Sequence, residues 1–173
     1  ERFVKDALPK RVFAPGTTPA YSNYATALAG YIVARVSGQA FDDRIEQSVF
    51  RPIGMMRSSF RQPLPPQLEP LMSKGYAVGS GDPKPFEIVQ PAPAGSLSAT
   101  GADMGRFMIA HLAGGAGLLG PETARLMHET TLTIVPPLNR MALGFYEQNI
   151  NGHRVISHGG DTQWFHSDLW LLP

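Results

Sequence analysis

The sequence has 173 residues, of which 43% are apolar and 17% are charged, with a formal net charge of +1 and no cysteine. This length and apolar content suit one domain, or part of one, with a sizeable core, and no apolar run approaches the ~20 residues of a membrane-spanning helix. The scattered charges argue against nucleic-acid binding, and the lack of cysteine excludes disulfides and thiolate catalysis.

The first half of the chain is predicted to be mainly helical. A short helix or turn is expected within residues 1–16, followed by a loop. Apolar residues at every fourth position predict a helix over residues 24–37 that ends at Gly38. This apolar face consists of Tyr24, Leu28, Ile32 and Val36. A second helix is predicted over residues 42–49, with Phe41, Ile45 and Val49 on one face, and the Pro-x-Gly stretch at 52–54 ends it.

The segment 57–95 is rich in proline and glycine and lacks helical periodicity. Two strand-like runs, "KGYAVG" and "PFEIVQ", lie on either side of Gly81-Asp82. We therefore expect an ordered excursion with a small hairpin near residues 74–90, rather than a linker.

Two further helices are predicted after this excursion. The stretch "SATGADMGRFMIAHLAGG" forms the third helix, which ends at Gly114-Gly115. Its shared face consists of Met104, Phe107, Met108, His111 and Leu112. The fourth helix begins at Pro121, a residue type favoured in the first turn, and runs to about His128.

The last part of the chain changes to a strand pattern. "MALGFYEQNI" and "HRVISH" are joined by Asn151-Gly152, a strong hairpin signal, and "FHSDLWLLP" is predicted to form a third strand. Helices followed by antiparallel strands predict the α+β class. The expected organisation is one domain over residues 1–173, mainly helical in 1–130 and antiparallel sheet in 140–173.

The stretch "TTPAYSNYATALAG" allows two interpretations. Ser and Asn are preferred helix N-caps, because their side chains accept a hydrogen bond from the free N–H groups of the first turn. A helix start alone therefore explains one polar residue here. A tyrosine before the cap is not required by that explanation, which leaves open a role for Tyr21 and Asn23 in an active site.

A second polar cluster lies in "SHGGDTQWFHSDLWLLP". The purely structural interpretation of this stretch is a glycine turn with an exposed histidine. The functional interpretation is a groove edge, where His158 supplies a proton donor and the N–H groups after it face a ligand.

Other kinds of site find little support in the sequence. Gly-x-Ser-x-Gly, the Walker loop, Gly-x-Gly-x-x-Gly and His-Glu-x-x-His are all absent. A metal site is conceivable from residues close together near the end of the chain, namely His153, His158, His166, Asp161 and Asp168. Their spacing matches no compact ligand motif, and strand residues alternate faces, so we expect neither a metal nor a cofactor.

Three stretches together resemble the serine β-lactamase and penicillin-binding-protein family. "PGTTPAYSNYATALAGYIVARVSGQAFDDRIEQSVFRPIGM" matches its Pro-Gly, Tyr-x-Asn, helix ending in Ser-Gly, and Pro-Leu-Gly-Met. "PAGSLSATGADMGRFMIAHL" is similar to its Ala-Gly-Gly-Leu…Ser-Thr…Asp stretch, and "SHGGD" to its third motif, Lys-Thr-Gly or His-x-Gly. The order and separation of the stretches agree. The resemblance implies a partial β-lactamase/transpeptidase-like fold of the class C branch, which includes esterases and D-amino-acid peptidases.

The resemblance also implies roles for single residues. Tyr21 takes the place of the family's proton-transfer group, and Asn23 that of a partner for substrate and the catalytic lysine. A tyrosine of ordinary pKa, ~10, acts as a base near neutral pH only beside a positive group, which that lysine supplies in the family. His158 takes the place of the lysine of Lys-Thr-Gly. By the same resemblance, Gly159 and Gly160 line the substrate site, and the Asp161 N–H corresponds to one of the family's oxyanion donors.

The family's nucleophile motif, Ser-x-x-Lys, is absent, because none of the four lysines has a serine three residues before it. In the family this motif falls before the position of Glu1. We therefore expect an internal fragment that is inactive by itself. Truncation is also expected to expose the edge of the last strand, with either Leu169 and Leu171 or Trp170 and Leu172, and to favour strand pairing with another chain.

The resemblance predicts that the parent protein is a serine acyl hydrolase acting through an acyl-enzyme. Its partners are small-molecule substrates, namely a β-lactam, a D-amino-acid peptide or an ester, and it binds no nucleic acid. Gln163-Trp164 replaces a glycine found in many members, so a bulkier groove mouth is expected. The alternative is a transpeptidase-like domain that binds ligands without catalysis. The family favours a periplasmic or extracellular location.

Overall fold

A computed structural model describes residues 2–132 and 140–173 of the chain. The helices are α1 (Arg2–Asp6), α2 (Asn23–Ser37), α3 (Phe41–Ile45), α4 (Gly101–Leu112) and α5 (Pro121–Glu129). The strands are β1 (Gly75–Tyr76), β2 (Pro83–Lys84), β3 (Arg140–Met141), β4 (Tyr146–Ile150), β5 (His153–Asp161) and β6 (His166–Leu171). The predicted α+β order, helices before an antiparallel sheet, is confirmed. None of the described helices combines the length and apolar character needed to cross a membrane.

The boundaries of α2 follow the local signals in the sequence. The Ser22 hydroxyl accepts a hydrogen bond from the Ala25 N–H at 3.2 Å, and Gly38 ends the helix in the left-handed conformation with φ 68°. The predicted apolar face is wrong in its second half, because Ile32 is 50% and Val36 is 83% exposed.

The buried face of α2 consists of small residues instead. Ala27 and Gly30 are buried, and Gly30 packs against the short 3₁₀ turn Ala92–Ala94. A Cβ atom on Gly30 would lie 2.7 Å from two side-chain atoms of Pro93. The backbone of α2 at Gly30 therefore packs directly against the Pro93 ring, on a different face from the four-residue apolar period.

The second predicted helix is present but changes its helix type part-way, and the hairpin is shorter than expected. The α-helical part of residues 42–49 is α3, and the chain then continues as a π-helical turn, Glu46–Phe50. Strands β1 and β2 do pair, but "PFEIVQ" is not a strand. Val89 instead donates to and accepts from the side-chain amide of Gln62, at 2.6 and 2.8 Å, and proline at position 85 has no N–H for a ladder.

Helix α4 is anchored to the preceding loop by a buried carboxylate. The Thr100 hydroxyl caps the helix by accepting from the Asp103 N–H at 3.2 Å. Asp103 accepts in turn from the Arg57 N–H at 2.7 Å and from the Ser58 hydroxyl at 2.9 Å. The predicted apolar face holds for its other members, but Leu112 is 52% exposed.

Helices α4 and α5 are also joined by two buried histidines. His111 Nδ1 and His128 Nε2 lie 2.9 Å apart in one hydrogen bond, and both rings pack against the edge of Phe145. Burial lowers the pKa of His111 to about 4, and burial together with the nearby Arg154 lowers the pKa of His128. Both rings are therefore neutral at pH 7.

Among the described residues the main sheet has the order β3-β4-β5-β6, all antiparallel. Asn151 and Gly152 connect β4 to β5 with positive φ angles of 52° and 82°, which confirms the predicted hairpin. One face of the sheet forms the core with α4 and α5, through Ala142, Phe145, Ile156 and Leu171 packed against Met108, Met127 and Leu169. Among the described strands, β3 and β6 are the two edges of this sheet.

Candidate active site

Tyr21 and Asn23 form a hydrogen-bonded pair at the start of α2. The Tyr21 hydroxyl donates to Asn23 Oδ1 at 2.7 Å, and the Tyr21 side chain is half exposed. Because Ser22 is the helix cap, neither neighbour is needed for capping. Of the three polar residues 21–23, Ser22 therefore has the structural role, and the side chains of Tyr21 and Asn23 are not used for capping.

The fold brings Tyr21 next to His158, although one lies before the first long helix and the other on β5. Their ring centroids are 5.8 Å apart. His158 Nδ1 lies 2.6 Å from the Gly159 carbonyl oxygen. A carbonyl only accepts, so Nδ1 carries a proton in this contact. Nε2 has no partner among the described residues.

The two glycines after His158 belong to the strand and not to a turn. Strand β5 continues through Gly159 and Gly160, so the interpretation of this stretch as a glycine turn is wrong. A Cβ atom on these residues would lie 3.1 Å from Asp168 Oδ1 and 3.2 Å from the Ser167 hydroxyl, respectively. The glycines thus allow β6 side chains to lie close over the end of β5.

The backbone N–H of Asp161 points away from β6. Thr162 N donates to Phe165 O at 2.9 Å, and successive strand residues direct their N–H groups to opposite sides. The Asp161 N–H is therefore directed toward the β4 side of the strand. The pairing of β4 ends where Tyr146 faces Ser157, so no described residue of β4 lies opposite Asp161. The Asp161 N–H is therefore a backbone donor without a β4 partner at the end of β5.

The side chain of Asp161 has a different partner. Its Oδ1 lies 2.6 Å from Nδ1 of His166, the residue directly across on β6, and both side chains are exposed. Within residues 2–132 and 140–173, His, Asp and Glu side chains form no group of three or more that suits a metal ion.

A third ring, Tyr146, completes the cluster. Its centroid lies 5.6 Å from that of His158 and 6.4 Å from that of Tyr21. Sequence reasoning assigned Tyr146 only to a strand. The sequence signal for Tyr146 was only its position at the start of the strand. The face on which its ring lies, and the ring that it contacts, depend on the register of β4 with β5.

The family of the chain follows from sequence comparison. A sequence model described as Beta-lactamase matches residues 5–173. The chain belongs to the beta-lactamase family. A human protein called beta-lactamase-like 1 is 28% identical over 166 residues, which cover 92% of this chain and 32% of the human protein. The chain thus spans about a third of that relative.

Solved structures of the beta-lactamase family share the fold. A beta-lactamase/D-alanine carboxypeptidase from Pseudomonas syringae superposes with a TM-score of 0.80 at 18% identity, over 99% of this chain and 56% of that one. A class C beta-lactamase gives a TM-score of 0.76 at 18% identity, over 95% and 52%. The predicted β-lactamase/transpeptidase-like fold is confirmed, and this chain corresponds to about half of each structure.

In this beta-lactamase-family chain, Trp164 packs against the β1–β2 hairpin. A Cβ atom on Gly75 would lie 2.5 Å from the Trp164 Cβ atom, and Lys84 Nζ lies 5.9 Å from the centroid of the indole ring. A small open cavity of about 180 Å³ lies beside this hairpin. Its lining includes Phe86 and Phe165 but none of the residues assigned to the site, so this cavity is separate from the Tyr21–His158 cluster.

Proposed function

We propose that the protein containing this chain is a serine acyl hydrolase that acts on a small-molecule lactam, D-amino-acid peptide or ester. The observation that carries this proposal is the Tyr21–Asn23 hydrogen bond of 2.7 Å next to the His158 ring, 5.8 Å from Tyr21 between centroids. Membership of the beta-lactamase family and the fold shared with a beta-lactamase/D-alanine carboxypeptidase support it.

In the proposed reaction, Tyr21 transfers the proton. The Tyr21 hydroxyl, which donates to Asn23 Oδ1, first loses its proton to solvent, and a positive group of the parent protein stabilises the phenolate. A serine of the parent protein then attacks the substrate carbonyl carbon, and its proton passes to the Tyr21 phenolate oxygen. The bond from the carbonyl carbon to the leaving nitrogen or oxygen then breaks, and Tyr21 returns the proton to the leaving group. Water releases the acyl group from the serine by the same proton route.

The strand end supplies the remaining groups of the proposed site. The Asp161 N–H donates to the oxyanion that forms on the carbonyl oxygen, and a preorganised donor of this kind is worth roughly 10²–10³ in rate. His158 Nε2 and the Asn23 amide orient the substrate, and the exposed backbone of Gly159 and Gly160 contacts it.

The first prediction tests Tyr21 in the full-length protein. Tyr21→Phe removes only the hydroxyl and is expected to lower kcat by roughly 10²–10⁴, because general acid–base catalysis contributes about this much. The matched control is Tyr24→Phe, since the Tyr24 hydroxyl donates to the Val4 carbonyl at 2.8 Å and not to the site. Circular dichroism checks that both variants fold.

An unchanged kcat in Tyr21→Phe would contradict the proposal and would leave Tyr21 with a packing role only.

Intact-protein mass spectrometry distinguishes an acyl hydrolase from a domain that binds ligands without catalysis. For an acyl hydrolase, the full-length protein is expected to form a covalent adduct with penicillin or an activated ester. Ligand binding without an adduct favours a non-catalytic domain. Residues 1–173 alone lack Ser-x-x-Lys and are expected to form no penicilloyl adduct.

A further inference from the structure

Tyr146 differs from the other two rings of the cluster in how firmly its backbone is held. It is the first residue of β4 and is paired on both sides, with Met141 of β3 and with Ser157 of β5. Its side chain is half-buried. The hydroxyl has no hydrogen-bond partner among the described residues, so the contacts of Tyr146 within the described chain are made by its ring.

Tyr21, in contrast, precedes α2 on a loop, and its side chain is 50% exposed. Its hydroxyl has a single partner in the described chain, Asn23, which is only two residues away. Such a short-range bond orients the hydroxyl relative to its own loop and not relative to β5. The aromatic rings that the Tyr21 ring contacts from distant parts of the described chain are those of Tyr146 and His158.

We propose that Tyr146 is a positioning residue that holds the Tyr21 ring against His158. Its ring lies within contact distance of both, with centroids 6.4 and 5.6 Å away, and aromatic pairs at 4.5–7 Å attract one another. It connects the loop that carries Tyr21 to the sheet that carries the proposed oxyanion donor. This role rests on the proposed function of Tyr21.

The experiment uses three variants of the full-length protein at position 146. Tyr146→Phe keeps the ring and is expected to retain kcat within about threefold. Tyr146→Ala removes the ring and is expected to lower kcat by roughly 10–10² with little change in KM. The reason is that displacement of a reacting group by about 1 Å lowers the rate by up to this factor. Tyr146→Leu keeps apolar bulk without a ring, guards against loss of folding, and is expected to resemble Ala.

A spectroscopic signature distinguishes positioning from general stability. The nuclear Overhauser effect between the ring protons of Tyr21 and His158 reports the distance between these two rings, which lie 5.8 Å apart between centroids. It is expected to weaken in Tyr146→Ala and Tyr146→Leu and to be nearly unchanged in Tyr146→Phe. Tyr76→Ala, which alters a partly exposed tyrosine of the β1–β2 hairpin, is the control and is expected to leave both kcat and this effect unchanged.

The outcomes separate the two proposals. If Tyr146→Leu keeps full kcat while Tyr21→Phe loses it, the positioning role is wrong and the proposed function stands. If Tyr146→Phe falls as far as Tyr146→Ala, the hydroxyl and not the ring carries the effect, and the positioning role is again overturned. If substitutions at Tyr21 and at Tyr146 both leave kcat unchanged, the proposed function is wrong, and the positioning role that rests on it is wrong as well.

Discussion

At the scale of single residues, three consecutive side chains have different tasks. Ser22 satisfies a free N–H of the first turn of α2, whereas Tyr21 and Asn23 bond to each other beside the His158 ring. The Ser22 side chain is short, so its hydroxyl reaches the free N–H of Ala25 in the first turn. The long tyrosine side chain carries its hydroxyl beyond the helix start, where it can meet another element.

Glycine 30 shows how one residue sets the approach of two segments. Gly30→Ala is expected to destabilise the protein by about 1–3 kcal/mol, because its Cβ atom would lie 2.7 Å from the ring of Pro93 and the segments would have to separate. The matched control is Gly105→Ala in α4, where a Cβ atom meets nothing within 4 Å.

This control is expected to stabilise the protein by about 0.5–1 kcal/mol, because alanine loses less conformational entropy than glycine when it enters a helix. Urea denaturation of the two variants beside the unaltered protein measures both effects. Equal changes of the same sign at the two positions would show that the contact with Pro93 is unimportant.

At the scale of elements, the joint between α4 and α5 depends on two neutral histidines. Their rings fill the space between the helices and the edge of Phe145, and one ring nitrogen donates while the other accepts. Arg154 lies near His128 and disfavours a second positive charge, while Glu129 has the opposite, smaller effect. Protonation of either ring would therefore place a charge at a buried contact.

This joint predicts a pH dependence of stability. The folded-state pKa of His111, about 4, lies below the value near ~6.5 of an unfolded histidine, so the unfolded chain binds protons first as pH falls. The stabilising contribution is complete above ~6.5 and is lost between ~6.5 and about 4, by about 3 kcal/mol over that interval. Chemical denaturation at a series of pH values measures it.

The variant His111→Leu is expected to flatten this pH dependence, because it removes one of the two buried titrating rings. His153→Gln, which alters the exposed first residue of β5, serves as the control and is expected to preserve the slope. If His111→Leu and the unaltered protein lose stability in parallel between pH 6.5 and 4, the histidine joint is not the cause.

At the scale of the whole molecule, the described sheet ends at β6 with an unpaired edge. Leu171 of this strand is buried in the core, whereas Trp170 is 46% and Leu172 is 60% exposed, which decides between the two apolar pairs considered from the sequence. An edge with exposed apolar side chains and free backbone groups tends to pair with another strand.

We therefore expect residues 1–173 to self-associate with increasing concentration through β6. Trp170→Lys places a charge on the exposed face of the edge and is expected to shift sedimentation toward monomer. Leu71→Lys, at a similarly exposed leucine in the 3₁₀ turn Glu69–Leu71, is the control and is expected to have no such effect. Equal dissociation in both variants would point to general repulsion rather than pairing at the edge.

Local sequence signals were sufficient for much of the fold. Ser22 and Gly38 bound α2, and Asn151-Gly152 forms the β4–β5 turn, because caps and tight turns are made by residues a few positions apart. The order of helices and strands followed from periodicity. The resemblance also selected Tyr21, Asn23 and His158, which the fold places side by side.

Only the tertiary structure decided which surfaces meet. The apolar period of α2 predicted a face with Ile32 and Val36, but the buried residues of the helix are Ala27 and Gly30. The His111–His128 hydrogen bond and the ring contacts of Tyr146 join separate elements. Such contacts depend on the packing of helices and the register of strands, which no local pattern encodes, whereas caps and turns are settled within one short stretch of chain.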